Sequence, residues 1–133
     1  MIQNNIPDVM LGIRKAQVKI DLGAMKARDE LMTKFTQLAK EEIKGKRQPG
    51  EKAVSGKPPM NRTGNLRRSI KGEKVRLGFA TYAAVVGPTI IYGRRVELGG
   101  GNWPNGTKFP YMKPAWIKFR PLVSIITRKH LAL

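Results

Sequence analysis

Arg62-Thr63-Gly64-Asn65-Leu66-Arg67-Arg68-Ser69-Ile70 divides this chain of 133 residues into two kinds of sequence. Before it, apolar residues recur at three- and four-residue spacing, the mark of a helix. After it they alternate, the mark of a strand. Within the stretch, Thr63 can cap the turn that Gly64 opens. Leu66 and Ile70, four apart, set apolar groups on one side while Arg67 and Arg68 face out. The expected outcome is a short helical turn through Leu66 to Arg68 that hands over to sheet at Ser69 and Ile70.

Upstream, residues 1 to 10 read as an irregular lead-in, with Pro7 fixing a bend and Asp8 capping the helix that follows. That helix is expected from about Leu11 to Lys44. Val18, Leu22, Met25, Met32, Ala39 and Ile43 form its stripe, Leu31, Phe35 and Leu38 widen it, and Asp29 and Thr36 are its weak places. So wide a stripe predicts burial against a sheet, a neighbouring subunit or both, and Asp29 argues against a simple coiled-coil seam. Gly23 costs about 1 kcal/mol relative to Ala inside a helix, which predicts a close packing point or a bend. Gly45 ends the helix as a left-handed cap. From Lys46 to Asn61, prolines and glycines among basic residues predict a long flexible loop, ordered only on assembly.

Downstream, Val75, Leu77 and Phe79 alternate with Lys74, Arg76 and Gly78 as in a half-buried strand. Tyr82 to Val86 suits a more buried one, and the short Ala80-Thr81 connection predicts an antiparallel hairpin. Gly87-Pro88 stops it. Ile90 to Leu98 reads as a short helix or turn ended by Gly99-Gly100-Gly101, residues 99–108 as a second loop, and Phe109 to Met112 as a short edge strand. Pro114 opens a last helix, in which Pro121 predicts a kink or break. The expected class is therefore α+β in a single domain, 1–133. A long N-terminal and a C-terminal helix pack on a small, mainly antiparallel sheet.

Charge narrows the function. Lys plus Arg number 26 against 9 acids, a net +17 that favours polyanions or acidic protein surfaces. Residues 44 to 76 hold eleven basic and two acidic side chains, so +9 falls there, and six basic residues and no acid follow Glu97. Clustering of this kind points to a nucleic-acid or acidic-partner surface, with Lys46, Arg47, Lys52, Lys57 and Arg62 as its candidate loop. At 41% hydrophobic residues the chain has enough apolar side chains for a modest core. No signal-like segment and no run of about 18 apolar residues is seen, so a cytoplasmic site of synthesis and no membrane are expected.

Catalytic chemistry finds little to work with. There is no cysteine and one histidine, His130, on a basic stretch with no acid near it in sequence, so a helix-end position is expected and not a ligand or base. The segment from Gly45 to Lys52 fails as a phosphate loop because Glu51 follows Gly50 where lysine belongs. Neither enzyme, cofactor, metal nor small-molecule substrate is expected. Aromatic residues are too few for a base-stacking platform. Trp116 reads as a core anchor of the last helix, and Trp103, in a polar loop, as the exposed contact.

Taken in order, several short elements resemble the tail-completion and head–tail joining proteins of long-tailed bacteriophages. They are Thr63-Gly64, Leu66 and Arg68-Ser69-Ile70; Tyr82-Ala83 and Gly87; Tyr92, Val96-Glu97 and Gly99; and Pro110, Pro114-Ala115. Gly100 stands where that family prefers threonine, and Lys113 where it prefers an arginine fork. The resemblance implies a structural virion protein without catalysis. Copies would form a ring, hexameric by the same resemblance, at the head-proximal end of the tail. Such a ring completes or terminates the tail tube and joins it to the head-completion or connector proteins. Genomic DNA would pass non-specifically through the lumen, in a particle neck assembled in a host cytoplasm. It makes Thr63, Gly64, Leu66, Arg67, Arg68, Tyr92, Glu97, Trp103 and Lys113 the candidate subunit or partner interface. Glu97, the only acid after Glu73, is expected to find an ion-pair partner within the chain or across a subunit boundary. The other reading is a small DNA- or RNA-binding protein that uses residues 44–76.

Overall fold

Two long helices and a hairpin make up the protein in the computed structural model, which describes residues 6–43, 52–59 and 63–131. In chain order the elements are α1 (Ile6–Glu42), α2 (Asn65–Ser69), β1 (Ile70–Arg76), β2 (Tyr82–Pro88), α3 (Gly93–Leu98) and α4 (Met112–Leu131). This is the α+β class expected: a long N-terminal helix, a C-terminal helix and a two-stranded antiparallel sheet, with α1 packed against both the sheet and α4.

α1 starts at Ile6, ahead of the expected Leu11. Pro7 belongs to its first turn, where a missing N–H costs no helical bond, and Asp8 faces the positive end of the dipole. The lead-in read for residues 6–10 is therefore helix. Gly45 and residues 46–51, 60 and 61 of the expected loop lie outside the described residues. Within 52–59 the chain is tied to the second loop: Gly56 N–H donates to the Lys108 carbonyl at 2.8 Å. The Ser55 hydroxyl donates to the Gly106 carbonyl at 3.2 Å and accepts the Lys108 N–H at 3.2 Å.

The hairpin pairs Ile70 with Pro88 and Arg76 with Tyr82. β1 stops at Arg76, so the strand expected through Phe79 is shorter. Leu77 and Phe79 stand in the turn, 67% and 91% exposed. The reason is conformational: Gly78 has φ 142° and Ala80 φ 54°, which spread the turn over residues 77–81 in place of the two-residue connection. At the other end Thr89 closes the hairpin, its N–H and hydroxyl both donating to the Ser69 carbonyl at 2.9 and 3.1 Å.

α4 runs antiparallel to the C-terminal half of α1. Gly23 of α1 lies against its last turn, and Phe35 stacks on Phe119 at 4.9 Å near its start. A Cβ on Gly23 would sit 2.6 Å from the His130 carbonyl oxygen, so this glycine is the close packing point expected. The helix continues through Pro121, at an exposed position, so the break expected there does not occur. Phe109 to Met112 is not an edge strand. Phe109 N–H donates to the Val96 carbonyl at 2.7 Å, and Tyr111 leads into α4. The core is Ala39, Ile43, Ile70, Tyr111 and Ala115, with Phe35, Leu38, Leu66, Val86, Val96 and Met112 packed on it. Val18, Leu22 and Met25, expected in the buried stripe, are 57%, 52% and 40% exposed, because the fold covers only the second half of α1.

Candidate functional site

The three sequence segments around Leu66, Glu97 and Tyr111 meet in one place. Leu66 and Ile70 from the first, Val96 from the second, and Tyr111 and Ala115 from the third share the core cluster. Glu97 is its organiser. One carboxylate oxygen accepts the backbone N–H groups of Tyr111 at 2.7 Å and Met112 at 2.9 Å, and the other accepts Lys113 N–H at 3.0 Å. Pro114 has no N–H to offer, and Ala115 N–H begins the helical ladder on the Tyr111 carbonyl at 3.4 Å. The free amides that open a helix are thereby all accounted for. The ion pair expected for Glu97 is replaced by a helix cap, which uses the same negative charge without a cationic side chain.

Tyr111 returns the contact. Its ring is fully buried and its hydroxyl donates to the Gly93 carbonyl at 3.0 Å, in the first residue of α3. Burial, with the Glu97 charge adding to it, pushes the phenol well above its ordinary value of 10.0. Gly93 fits because a Cβ there would meet Pro88 at 2.6 Å. Gly99, with φ 79° and ψ −168°, a pair open to glycine alone, ends α3 and donates to the Arg95 carbonyl at 2.7 Å, so the glycine run stops the helix as expected.

The remaining candidate residues scatter around this knot. Gly64 precedes α2 with φ 78°, and Asn65 N–H reaches the Thr63 hydroxyl at 3.4 Å. Arg67 and Arg68 are exposed, and Arg68 folds back onto Asn65 Oδ1 at 2.8 Å and the Thr63 carbonyl at 3.3 Å. Tyr92 is 43% exposed at the start of α3, and the Lys113 side chain is exposed. Lys52 and Lys57 are exposed; Lys46, Arg47 and Arg62 lie outside the described residues. The two tryptophans exchange the places expected of them. Trp103 is half-buried, edge-on to Phe109 at 5.5 Å, while Trp116 stays 47% exposed beside Phe35. The short reach from Trp103 to Phe109 was the signal available for the first.

Several acidic residues are paired within the chain. Partial burial raises the Asp29 carboxyl, but hydrogen bonds and charge from Arg28 at 2.9 Å and Lys74 at 3.4 Å outweigh it and hold the group below 3.8. The His130 hydrogen bond, with Lys129 at 3.2 Å beside it, holds Glu30 below its ordinary 4.5. Glu42 pairs with Lys118. His130 thus sits at the end of α4, paired with an acid 100 residues away that sequence distance concealed. With these acids engaged, the basic excess faces outward, through Arg67, Arg68, Lys71, Lys74 and Arg76 among others.

Two further surfaces stand apart from the Glu97–Tyr111 knot. Every residue from Ile6 to Ile20 is exposed, so the first half of α1 is an arm. Beside its root an open apolar trough of about 480 Å³ lies between α1, β2 and α4. Among the described residues no three His, Cys, Asp or Glu side chains gather as a metal site, and no helix is long and apolar enough to cross a membrane. Comparison with protein-family models, curated proteins and solved structures finds no match to this chain.

Proposed function

We propose that this chain is a structural assembly protein that forms a ring at the head-proximal end of a phage tail. There it completes the tail tube and joins it to the head. The observation that carries the assembly reading is the α1 arm. Ile6, Val9, Met10, Leu11, Ile13, Val18, Ile20 and Leu22 are all 49% to 61% exposed on one helix. Exposed apolar side chains in this number on one helix call for a protein partner. The tail assignment rests on the ordered resemblance of the segments Thr63 to Ile70, Tyr92 to Gly99 and Pro110 to Ala115. Their convergence on the Glu97–Tyr111 knot supplies a rigid frame and no catalytic group. The outward-facing cations suit a lumen through which DNA passes, meeting phosphate without reading sequence.

The exposed cations between Arg67 and Arg76 equally favour the second reading, a small nucleic-acid-binding protein. The two separate by what the chain travels with. Peptide mass spectrometry of purified particles, together with the mass of the protein alone and mixed with tail-tube protein, tests the first. The expected result is the protein in intact particles and a multimeric complex with the tube. Its absence from particles, with tight binding to free nucleic acid, would favour the second.

A further inference from the structure

We propose that the exposed arm of α1 docks into the open trough of a second copy. The inference rests on the self-assembly part of the reading above and names the two surfaces that meet. The arm continues a face already used for packing. Ala27 and Gly23 are buried, Gly23 against His130 and Leu131 of α4. Counting back by three and four residues from Gly23 gives Ile20, Ala16, Ile13, Val9 and Ile6, all on that same side and all exposed. Half of one apolar stripe is covered and half is bare.

The trough is the matching deficit. Its walls include Leu31 and Phe35 of α1, Tyr82 and Val86 of β2, and Trp116 and Val123 of α4. Trp116, one of its lining residues, is left 47% exposed. Its lining is mostly apolar, with Arg28, Tyr82 and Thr127 the main polar contributors, which suits apolar side chains. A chain cannot fill its own trough with its arm. Ile13 is about 16 Å along a continuous helix from Ala24 at the trough's edge. Pairing arm with arm would leave the trough bare, whereas arm in trough covers both.

Size and charge agree with a second copy as the occupant. The large apolar side chains on this face of the arm, Ile6, Val9, Ile13 and Ile20, present roughly 400 Å², about half of what one partner gives to a standard interface, so the arm supplies one part of the subunit boundary. From Ile6 to Leu22 the arm carries Arg14, Lys15 and Lys19 against Asp8 and Asp21, so it adds little to the repulsion between two +17 molecules. The contact is head-to-tail: each copy gives an arm and receives one, which closes into a ring where the rotation allows.

The absence of native cysteine makes the test direct. One full-length copy carries Ile13→Cys and another Thr127→Cys, mixed and mildly oxidised at high protein concentration and in salt that screens the charge. A control mixture replaces Thr127→Cys with Arg94→Cys on α3. The proposal expects a disulfide-linked pair enriched on the order of tenfold over the control, because docking raises the local thiol concentration. The copy carrying both substitutions should give a ladder. Self-linking of Ile13→Cys alone at the level of the mixture would mean that arms pair with each other, and overturns the proposal. No enrichment over the control overturns it as well. In either case, tails that still need this protein for joining would leave the functional reading standing.

Discussion

Glu97 and Tyr111 each hold the helix that carries the other. The Glu97 carboxylate accepts the amides of Tyr111, Met112 and Lys113 at the head of α4, and the Tyr111 hydroxyl donates to Gly93 at the head of α3. Glu97→Ala removes the acceptor from three amides at once and should cost about 2 to 3 kcal/mol. Glu97→Gln keeps one acceptor oxygen and should fall between. Thermal or urea unfolding checks the order, and an alanine variant as stable as the parent would deny the cap. A lysine at this position is a folding lesion first, so it cannot serve as a clean probe of subunit contacts.

Glycine substitutions should move stability in opposite directions along α1. At Gly12 an added Cβ meets nothing within 4 Å, and Ala should stabilise by up to about 1 kcal/mol through helix propensity. At Gly23 the same change drives a Cβ toward the His130 carbonyl, a backbone atom that cannot step aside without moving α4. Gly23→Ala should therefore destabilise despite the same gain in propensity. Equal shifts of the urea midpoint in the two variants would contradict the packing described.

Alkaline pH gives a third check. The Tyr111 phenol is raised in the folded protein, so its contribution is complete below pH 10.0 and is lost as pH climbs toward the folded value, where the unfolded chain releases its proton first. Tyr111→Phe should cost about 1 kcal/mol at neutral pH through removal of the hydrogen bond. It should also flatten the fall in stability above pH 10, measured as unfolding midpoints against pH. An unchanged alkaline slope would place the phenol in water.

Local pattern carried far in this chain. The second half of the helical stripe, from Met32 to Ile43, the hairpin from Val75 through Val86, the glycine stop after Leu98 and the close contact at Gly23 were all legible from spacing and residue type. What escaped depends on distant parts of the chain. Leu77 and Phe79 alternate as strand residues should, yet Gly78 and Ala80 take positive φ and end the ladder at Arg76. Trp103 is half-buried because Phe109, just past loop 99–108, meets it edge-on at 5.5 Å. Glu97 had no partner in view, since nothing in the spacing reveals that residues 111–113 turn their amides toward it. The arm and trough were invisible for the same reason. Apolar periodicity predicts that a face will be covered, and not which half the chain itself can cover.

Charge neutralisation separates the two functions. Changing Lys46, Arg47, Lys52 and Lys57 to Gln should weaken binding to duplex DNA and lower the salt slope by about one unit for each phosphate that is no longer neutralised. Under the assembly reading tails still attach in particles made with this variant. Failure of joining, in step with the weaker DNA affinity, would favour a nucleic-acid-binding protein instead.

Ile13→Asp provides the most direct test of the central claim. The side chain is 61% exposed on the arm, so the folded monomer should change by no more than about 0.5 kcal/mol. Electron microscopy of phage particles assembled with this variant as the sole source of the protein is the measurement. Assembly through the arm predicts filled heads beside unjoined or overlong tails. Particles of normal number, with tails of normal length firmly attached, would contradict it.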